Sequence, residues 1–398
     1  MAAAKRLFIV LSGMLILSSF FGPVAADYPN YGQPLVLPNT TYAADPMTLR
    51  VNDRYYLYPT TLDTAVECWS STDFAAWNYE GIVWGPAPSG SWNDQGICAP
   101  DVLFYDGQYY LYYNSAGGIG VAQADAPTGP FVDVYDHPLV HGFFKIDPDV
   151  FVDEDGQMYL YSTCAAPFGS ICVSPMADPV TLAGQQRLLF RPGILNWEGF
   201  LVEGPWMLKH KGIFYLMYSG NQTIYPFYAI GYATADNPLG PFVKYNGNPI
   251  LHVDWAHNFW GPGHNSVATD AQGKMWMFYH TKVSPQTGWE REVRINQVAF
   301  DSKDRLYVVL DDDDDNDDTT IDDDTTPADD DTTPSDDDTE PDDDTEPSDD
   351  DAADDDSTGD DDYDVDDDHQ DDDAGDDATD DDGGSSGDDD NGNGGCGC

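Results

Sequence analysis

Five similar stretches of this sequence each open on a different side chain, and several of those side chains can do chemistry. "ADPMTLRVNDRYYLYPT" carries Asp45, "APDVLFYDGQYYLYYNS" opens on Ala99, and "IDPDVFVDEDGQMYLYST" carries Asp147. "EGPWMLKHKGIFYLMYSG" opens on Glu203 and "GPGHNSVATDAQGKMWMFYHT" carries His264. Asp45 and Ala99 stand ten residues before Tyr55 and Tyr109, whereas Asp147, Glu203 and His264 stand eleven before Met158, Phe214 and Met275. Three carboxyls could supply one protonated donor and one ionised group to activate water, the two halves of general acid–base chemistry. Any one of these acids alone reads as turn punctuation, because Asp-Pro commonly opens turns. A turn would favour one residue type in all five stretches, and here the type varies. Acids gathered around one mouth also repel each other, which costs stability unless something uses them.

The elements that must position these residues are strands. Each stretch has a Pro or Gly opening, a short strand, a polar turn and a strand of alternating aromatics. Further strands follow, and "GIGVAQADAPTGPFV" and "AIGYATADNPLGPFV" are near copies ending in Gly-Pro turns. The units recur at roughly 50- to 60-residue intervals, the length of a four-stranded propeller blade. The expected fold is all-β: a five-bladed β-propeller over residues 27–310, followed by a disordered Asp-rich tail. Innermost strands line a propeller's central channel, so the five opening residues should ring one pocket.

At these motifs the sequence resembles glycoside hydrolase family 43, the arabinofuranosidases, xylosidases and arabinanases built on five-bladed propellers. "ADP", "APDVLFYDGQYYLYY", "IDPDVFVDEDG", "EGPWML" and "GPGHNS" occur in the family's order and cover nearly the whole of the part expected to fold. The "WMNDPN"-like start and "RDP" motif of the related sucrose-cleaving propellers are missing. The resemblance implies Asp45 as general base, Glu203 as general acid and Asp147 as the carboxylate that orients the acid and tunes its pKa. It also implies Arg294, in "REVRINQVAF", near the sugar, a Ca2+ ion in the channel contacted by His264, and inversion at the anomeric carbon. Inversion places the two carboxyls ~6.5–9.5 Å apart, leaving room for water. A carboxylate beside Glu203 disfavours its ionised form, keeping it protonated. The expected substrates are arabinose- or xylose-containing plant polysaccharides. The rival readings are a carbohydrate-binding propeller without turnover, or a glycosidase for another sugar such as a galactoside.

Other residues carry two readings each. Asp101 and Asp149, two positions beyond the openings, read as structural acids, and Asp153, Glu154 and Asp155 as a solvent-facing hairpin turn. His264 reads equally as a channel histidine bonded to a carboxylate or water, and His280 as structural. Trp84, Trp92, Trp197, Trp255, Trp260 and Trp289 fall in or near loops that could border a sugar pocket, with Trp260 and Trp84 taken as its candidates. Family members often have Trp just before "APD", where this chain has Cys98.

Charge divides the chain. Residues 311–398 hold 45 of the 73 acidic residues and none of the 16 Lys and Arg, so most of the net charge of -57 belongs to the tail. The remainder has no basic patch, which argues against nucleic acid. The tail's "TTPADDD", "TTPSDDD" and "TEPSDDD" repeats suit a stiffened, self-repelling spacer and lack an ordered calcium loop. At the other end, Lys5 and Arg6 precede an apolar run and "GPVAAD", the pattern of a signal peptide over residues 1–26. Export to a secreted or cell-surface location follows, with attachment through the tail and its "GGCGC" terminus as an expectation. A monomer is expected. Export permits disulfides, and Cys164 and Cys172 are close enough in sequence to staple one hairpin, although sequence alone leaves the pairing open.

Overall fold

The computed structural model of the protein describes residues 32–142, 144–164 and 169–310. The expected signal peptide and acidic tail lie outside them. The described residues form five antiparallel sheets in chain order. Blade one is β1 (Ala44–Val51), β2 (Arg54–Thr60), β3 (Val66–Ser71) and β4 (Asn78–Trp84). Blade two is β5 (Cys98–Tyr105), β6 (Gln108–Ser115), β7 (Gly118–Ala124) and β8 (Val132–Asp133), with β9 (Val140–His141) also on β7. Blade three is β10 (Ile146–Val152), β11 (Met158–Cys164), β12 (Ser170–Asp178) and β13 (Thr181–Leu182), with β14 (Arg187–Phe190) also on β12. Blade four is β15 (Val202–His210), β16 (Ile213–Gly220), β17 (Ala229–Ala235) and β18 (Val243–Lys244). Blade five is β19 (Gly263–Thr269), β20 (Met275–Lys282), β21 (Arg291–Phe300) and β22 (Leu306–Val308). The inner strand β1 packs beside β5 and β19, β5 beside β10, β10 beside β15 and β15 beside β19, which closes the ring. The fold is a five-bladed β-propeller.

The alternating aromatics bury one face of each blade against its neighbour. One apolar cluster fills each junction, such as Tyr58, Trp84, Leu111 and Tyr113 between blades one and two. A buried Tyr still needs a partner for its hydroxyl. Tyr58, Tyr112 and Tyr161 each donate to a proline carbonyl of the next blade, at Pro127, Pro179 and Pro238 over 2.6–2.7 Å. Residues 35–43 run along blade five, where Leu35 N–H donates to the Val293 carbonyl and Ala43 N–H to the Arg291 carbonyl. Cys164 and Cys172 form a disulfide between β11 and β12.

Every inner strand breaks register at its start, with two residues bulged out before regular pairing resumes. Asp45, Ala99, Asp147, Gly204 and His264 occupy the first bulged position, all at positive φ between 44° and 57°. Only glycine takes this conformation without cost, and each other residue stores about 1 kcal/mol or more. Blade four therefore differs from the sequence alignment: its bulge residue is Gly204, and Glu203 stands one position earlier, paired with Ser219. Turn length explains the offset. Blades one, two and four close their first hairpin with two residues, blades three and five with five.

The bulge exposes one N–H per blade, and each finds a side chain. Ala99 N–H donates to Thr60 Oγ1 (2.8 Å), Asp147 N–H to Asn114 Oδ1 (2.9 Å) and His264 N–H to Ser219 Oγ (2.8 Å). Asp45 N–H donates to His280 Nδ1 (3.2 Å), closing the belt from blade five to blade one. Gly204 N–H donates to Asp147 Oδ2 (3.0 Å), which also accepts from Thr163 Oγ1 (2.8 Å).

Candidate active site

The positive φ of the bulge turns the opening side chains of blades one and five toward each other. Asp45 is fully buried, and its Oδ1 lies 2.9 Å from Arg291 Nη1, 3.1 Å from His280 Nδ1 and 3.3 Å from His264 Nδ1. Thr223 Oγ1 supports this group, 3.1 Å from His280 Nε2 and accepting from Arg291 at 3.4 Å. Asp45 Oδ2 is buried with no hydrogen-bond partner. Burial alone would raise this carboxyl's pKa, but Arg291, His264 and His280 outweigh it and hold the group ionised, well below the usual range. Burial and Arg291 lower His280 to about 3, so its ring is neutral. The arrangement is an ionised carboxylate with one oxygen anchored and the other uncommitted.

Glu203 has the opposite surroundings. It is also buried, and its Oε1 has no hydrogen-bond partner. Burial raises its pKa well above the usual carboxyl range and Asp147 adds repulsion; the Tyr228 hydroxyl opposes them, followed by a smaller repulsion from Asp45 and a smaller opposing effect of Arg291. Asp147 spends its oxygens on Thr163, the Gly204 N–H and the Asn114 amide (3.4 Å), so it anchors the backbone next to Glu203. Around one channel mouth, one buried carboxyl is thus favoured in its ionised form and another in its protonated form. Groups pushed apart in this way can act as a base and an acid.

Residues 36–305 match the profile of the glycosyl hydrolases family 43. The chain belongs to this family. It is a glycoside hydrolase. It is 30% identical over 302 residues to a protein from Aspergillus niger named beta-D-galactofuranosidase xynD, covering 67% of this chain and 82% of that one. It is 26% identical over 324 residues to a beta-xylosidase from Xylanibacter ruminicola, covering 67% and 97%. A solved thermostable family-43 glycoside hydrolase superposes with a TM-score of 0.65 at 33% identity, covering 70% of this chain and 95% of that one.

Within this family-43 hydrolase the other candidates separate. Arg291, not Arg294, reaches Asp45. Arg294 pairs with Glu292 at 2.6 Å, donates to the Gly32 carbonyl at 2.8 Å and lies over the Phe259 ring, so it fastens the N-terminal segment to blade five. Trp84 is buried at the junction of blades one and two, its indole N–H donating to Asp133 Oδ1 at 2.8 Å and its ring 4.2 Å from Tyr113. That makes Trp84 core rather than pocket wall. Trp260 keeps a buried indole N–H with no partner, on the segment leading to His264. Asp101 and Asp149 stitch blades together through the N–H groups of Val150 and Met207, both at 2.9 Å. Asp153, expected in solvent, pairs with Lys209 at 2.5 Å.

Among the described residues no group of three or more His, Cys, Asp or Glu stands together as a metal cage. His264 offers one ring nitrogen, far from the six to eight oxygens of a calcium shell. These residues do not by themselves make a calcium site. Sequence reasoning missed Arg291, Thr223 and Tyr228 and gave His280 only a structural role. The alternation of buried Arg291, Val293 and Ile295 along β21 was the available signal for the arginine.

Proposed function

We propose that this protein is an exported, inverting glycosidase acting on arabinose- or xylose-containing plant polysaccharides or their oligosaccharides. Asp45 Oδ2 draws a proton from a water as that water attacks the anomeric carbon. Glu203 gives its proton to the departing glycosidic oxygen as the C–O bond breaks. Asp147 holds the Gly204 backbone and, by its charge, favours the protonated form of Glu203. Arg291 and His264 hold Asp45 ionised, His280 accepts the Asp45 N–H, and Thr223 braces His280 and Arg291. Trp260 offers an indole N–H and an aromatic face to the sugar. The observation that carries this reading is the contrast between Asp45, whose Oδ1 lies 2.9 Å from Arg291 while Oδ2 is left unpaired, and Glu203, buried with an unpaired Oε1 and with burial and Asp147 favouring its protonated form.

The pentose reading draws on the relative named beta-xylosidase. A galactofuranoside is the second reading, because the Aspergillus niger relative carries that name at higher identity. Aryl arabinofuranosides, xylosides and galactofuranosides, assayed beside arabinan and arabinoxylan, decide between them. Proton NMR of the first product anomer tests inversion, and a retained configuration would refute it. Export rests on the basic, apolar and small-residue order of residues 1–26, and surface attachment on the acidic tail. N-terminal sequencing of the secreted protein tests the first, and cell fractionation with and without residues 311–398 tests the second. A calcium ion at His264 would be held mainly by water, and calcium titration of chelator-treated protein tests it.

A further inference from the structure

Eight buried side-chain polar atoms among the described residues lack a hydrogen-bond partner, and two of them are Tyr228 Oη and Glu203 Oε1. Leaving such groups unpaired costs about 1–3 kcal/mol each, so a structure that keeps them is holding them for something. Tyr228 is fully buried just before β17 and is held on two sides. Its ring stacks on His280, with centroids 5.6 Å apart and planes 7° from parallel. Its edge fills the space beside Gly263, where a Cβ would fall 1.8 Å from Tyr228 Cε1. His280 is in turn fixed by Asp45 and Thr223. A tyrosine packed this rigidly serves its neighbours through its hydroxyl. Gly263 adjoins His264, whose N–H donates to Ser219 Oγ, and Ser219 is the cross-strand partner of Glu203, so the ring stands beside the Glu203 strand.

We propose that Tyr228 is a positioning residue for the general acid, its hydroxyl donating to the Glu203 carboxylate that forms as the proton passes to the leaving oxygen. This rests on the reading of Glu203 as the acid. The hydroxyl stays protonated, because burial and then Glu203 and Asp147 raise its pKa well above the usual value. A donor at this place favours the ionised form of Glu203, opposing burial, Asp147 and Asp45 on the same side as Arg291. It thereby makes an acid that burial would leave too weak into a usable one. Catalytic hydrogen bonds that are poorly directed in the free enzyme can tighten when substrate fills the site.

Tyr228→Phe keeps the ring against His280 and Gly263 and removes only the hydroxyl. On substrates with poor leaving groups, kcat/KM should fall about tenfold, the worth of one hydrogen bond to a charged group. Activated aryl glycosides, which need little protonation, should be much less affected. The basic limb of the pH profile should move to higher pH, since the group that favoured the Glu203 carboxylate is gone. Fluorotyrosine at position 228, a more acidic donor of nearly the same shape, should move that limb to lower pH, which a packing role would not do. A profile that superposes on wild type in both variants overturns the role of Tyr228. Glu203→Gln is measured alongside: if it keeps wild-type rates on poor leaving groups, the assignment of Glu203 fails instead.

Discussion

Two sets of buried carboxyls lie close together on the inner strands and are treated differently. Asp101 and Asp149, two residues beyond the bulge, each commit an oxygen to an N–H of the following blade, at Val150 and Met207. Ser266 does the same for Thr48 with a hydroxyl, at 3.2 Å. Asp45 and Glu203, at or beside the bulge, each keep one buried oxygen with no partner. The deeper carboxyls hold blades together, and the carboxyls at the mouth carry the uncommitted lone pairs that a substrate and its water can use. Burial by itself does not separate these roles, because all four acids are almost fully buried. What separates them is where their hydrogen-bonding capacity goes.

Substitutions in the two sets should therefore fail in different assays. Asp45→Asn and Glu203→Gln should each lower turnover on the natural polymer by about 10²–10⁴-fold. The thermal midpoint should stay nearly unchanged for Glu203→Gln and fall for Asp45→Asn, which removes the charge that buried Arg291 faces. Arg291→Ala should cost less, and it should move the acidic limb of kcat/KM to higher pH. The sign follows because Arg291 lowers the pKa of Asp45 and the base must be ionised to work. Asp149→Leu should leave KM close to wild type in the folded fraction and lower stability by about 1–3 kcal/mol in denaturant melts, since the Met207 N–H loses its acceptor. Equal activity losses for Asp149→Leu and Glu203→Gln would break the comparison.

A smaller effect belongs to pH and stability. Burial raises both Asp101 and Asp149, Asp101 from 3.8 to about 7 despite opposing bonds from the Val150 and Val102 N–H groups, and the two carboxyls titrate as a pair. A folded-state pKa above the unfolded one gives stability that is complete below about pH 4 and lost as pH rises through about 7. Asp101→Asn, which cannot ionise, should show a flatter thermal midpoint across that window than wild type. A change confined to lower pH would contradict the assignment.

Much of this was legible in the sequence because a repeat is read five times. The blade count, the inner-strand openings, and Asp45 and Asp147 at two of those openings follow from strand period and spacing. Glu203 stands one residue before its bulge because blades three and five carry three more turn residues than blade four and one strand pair fewer, a net shift of one in the count. Arg291 was not legible because residues three apart on a strand face opposite sides, and only the partner strand tells that Arg291, and not Arg294, meets Asp45. Trp84 looked like a loop residue, yet it ends β4 and packs on Tyr113. Tyr228 and Thr223 reach the site from outside the repeated motif, so no spacing rule points to them.

The proposed mechanism divides the work between Asp45 as base and Glu203 as acid. Its test is the dependence of kcat/KM on leaving-group pKa for wild type, Asp45→Asn and Glu203→Gln, across a series of aryl glycosides of the preferred sugar. Glu203→Gln should lose little with the best leaving groups and progressively more as they worsen, while Asp45→Asn should lose rate across the whole series. Parallel lines for Glu203→Gln and wild type would contradict it.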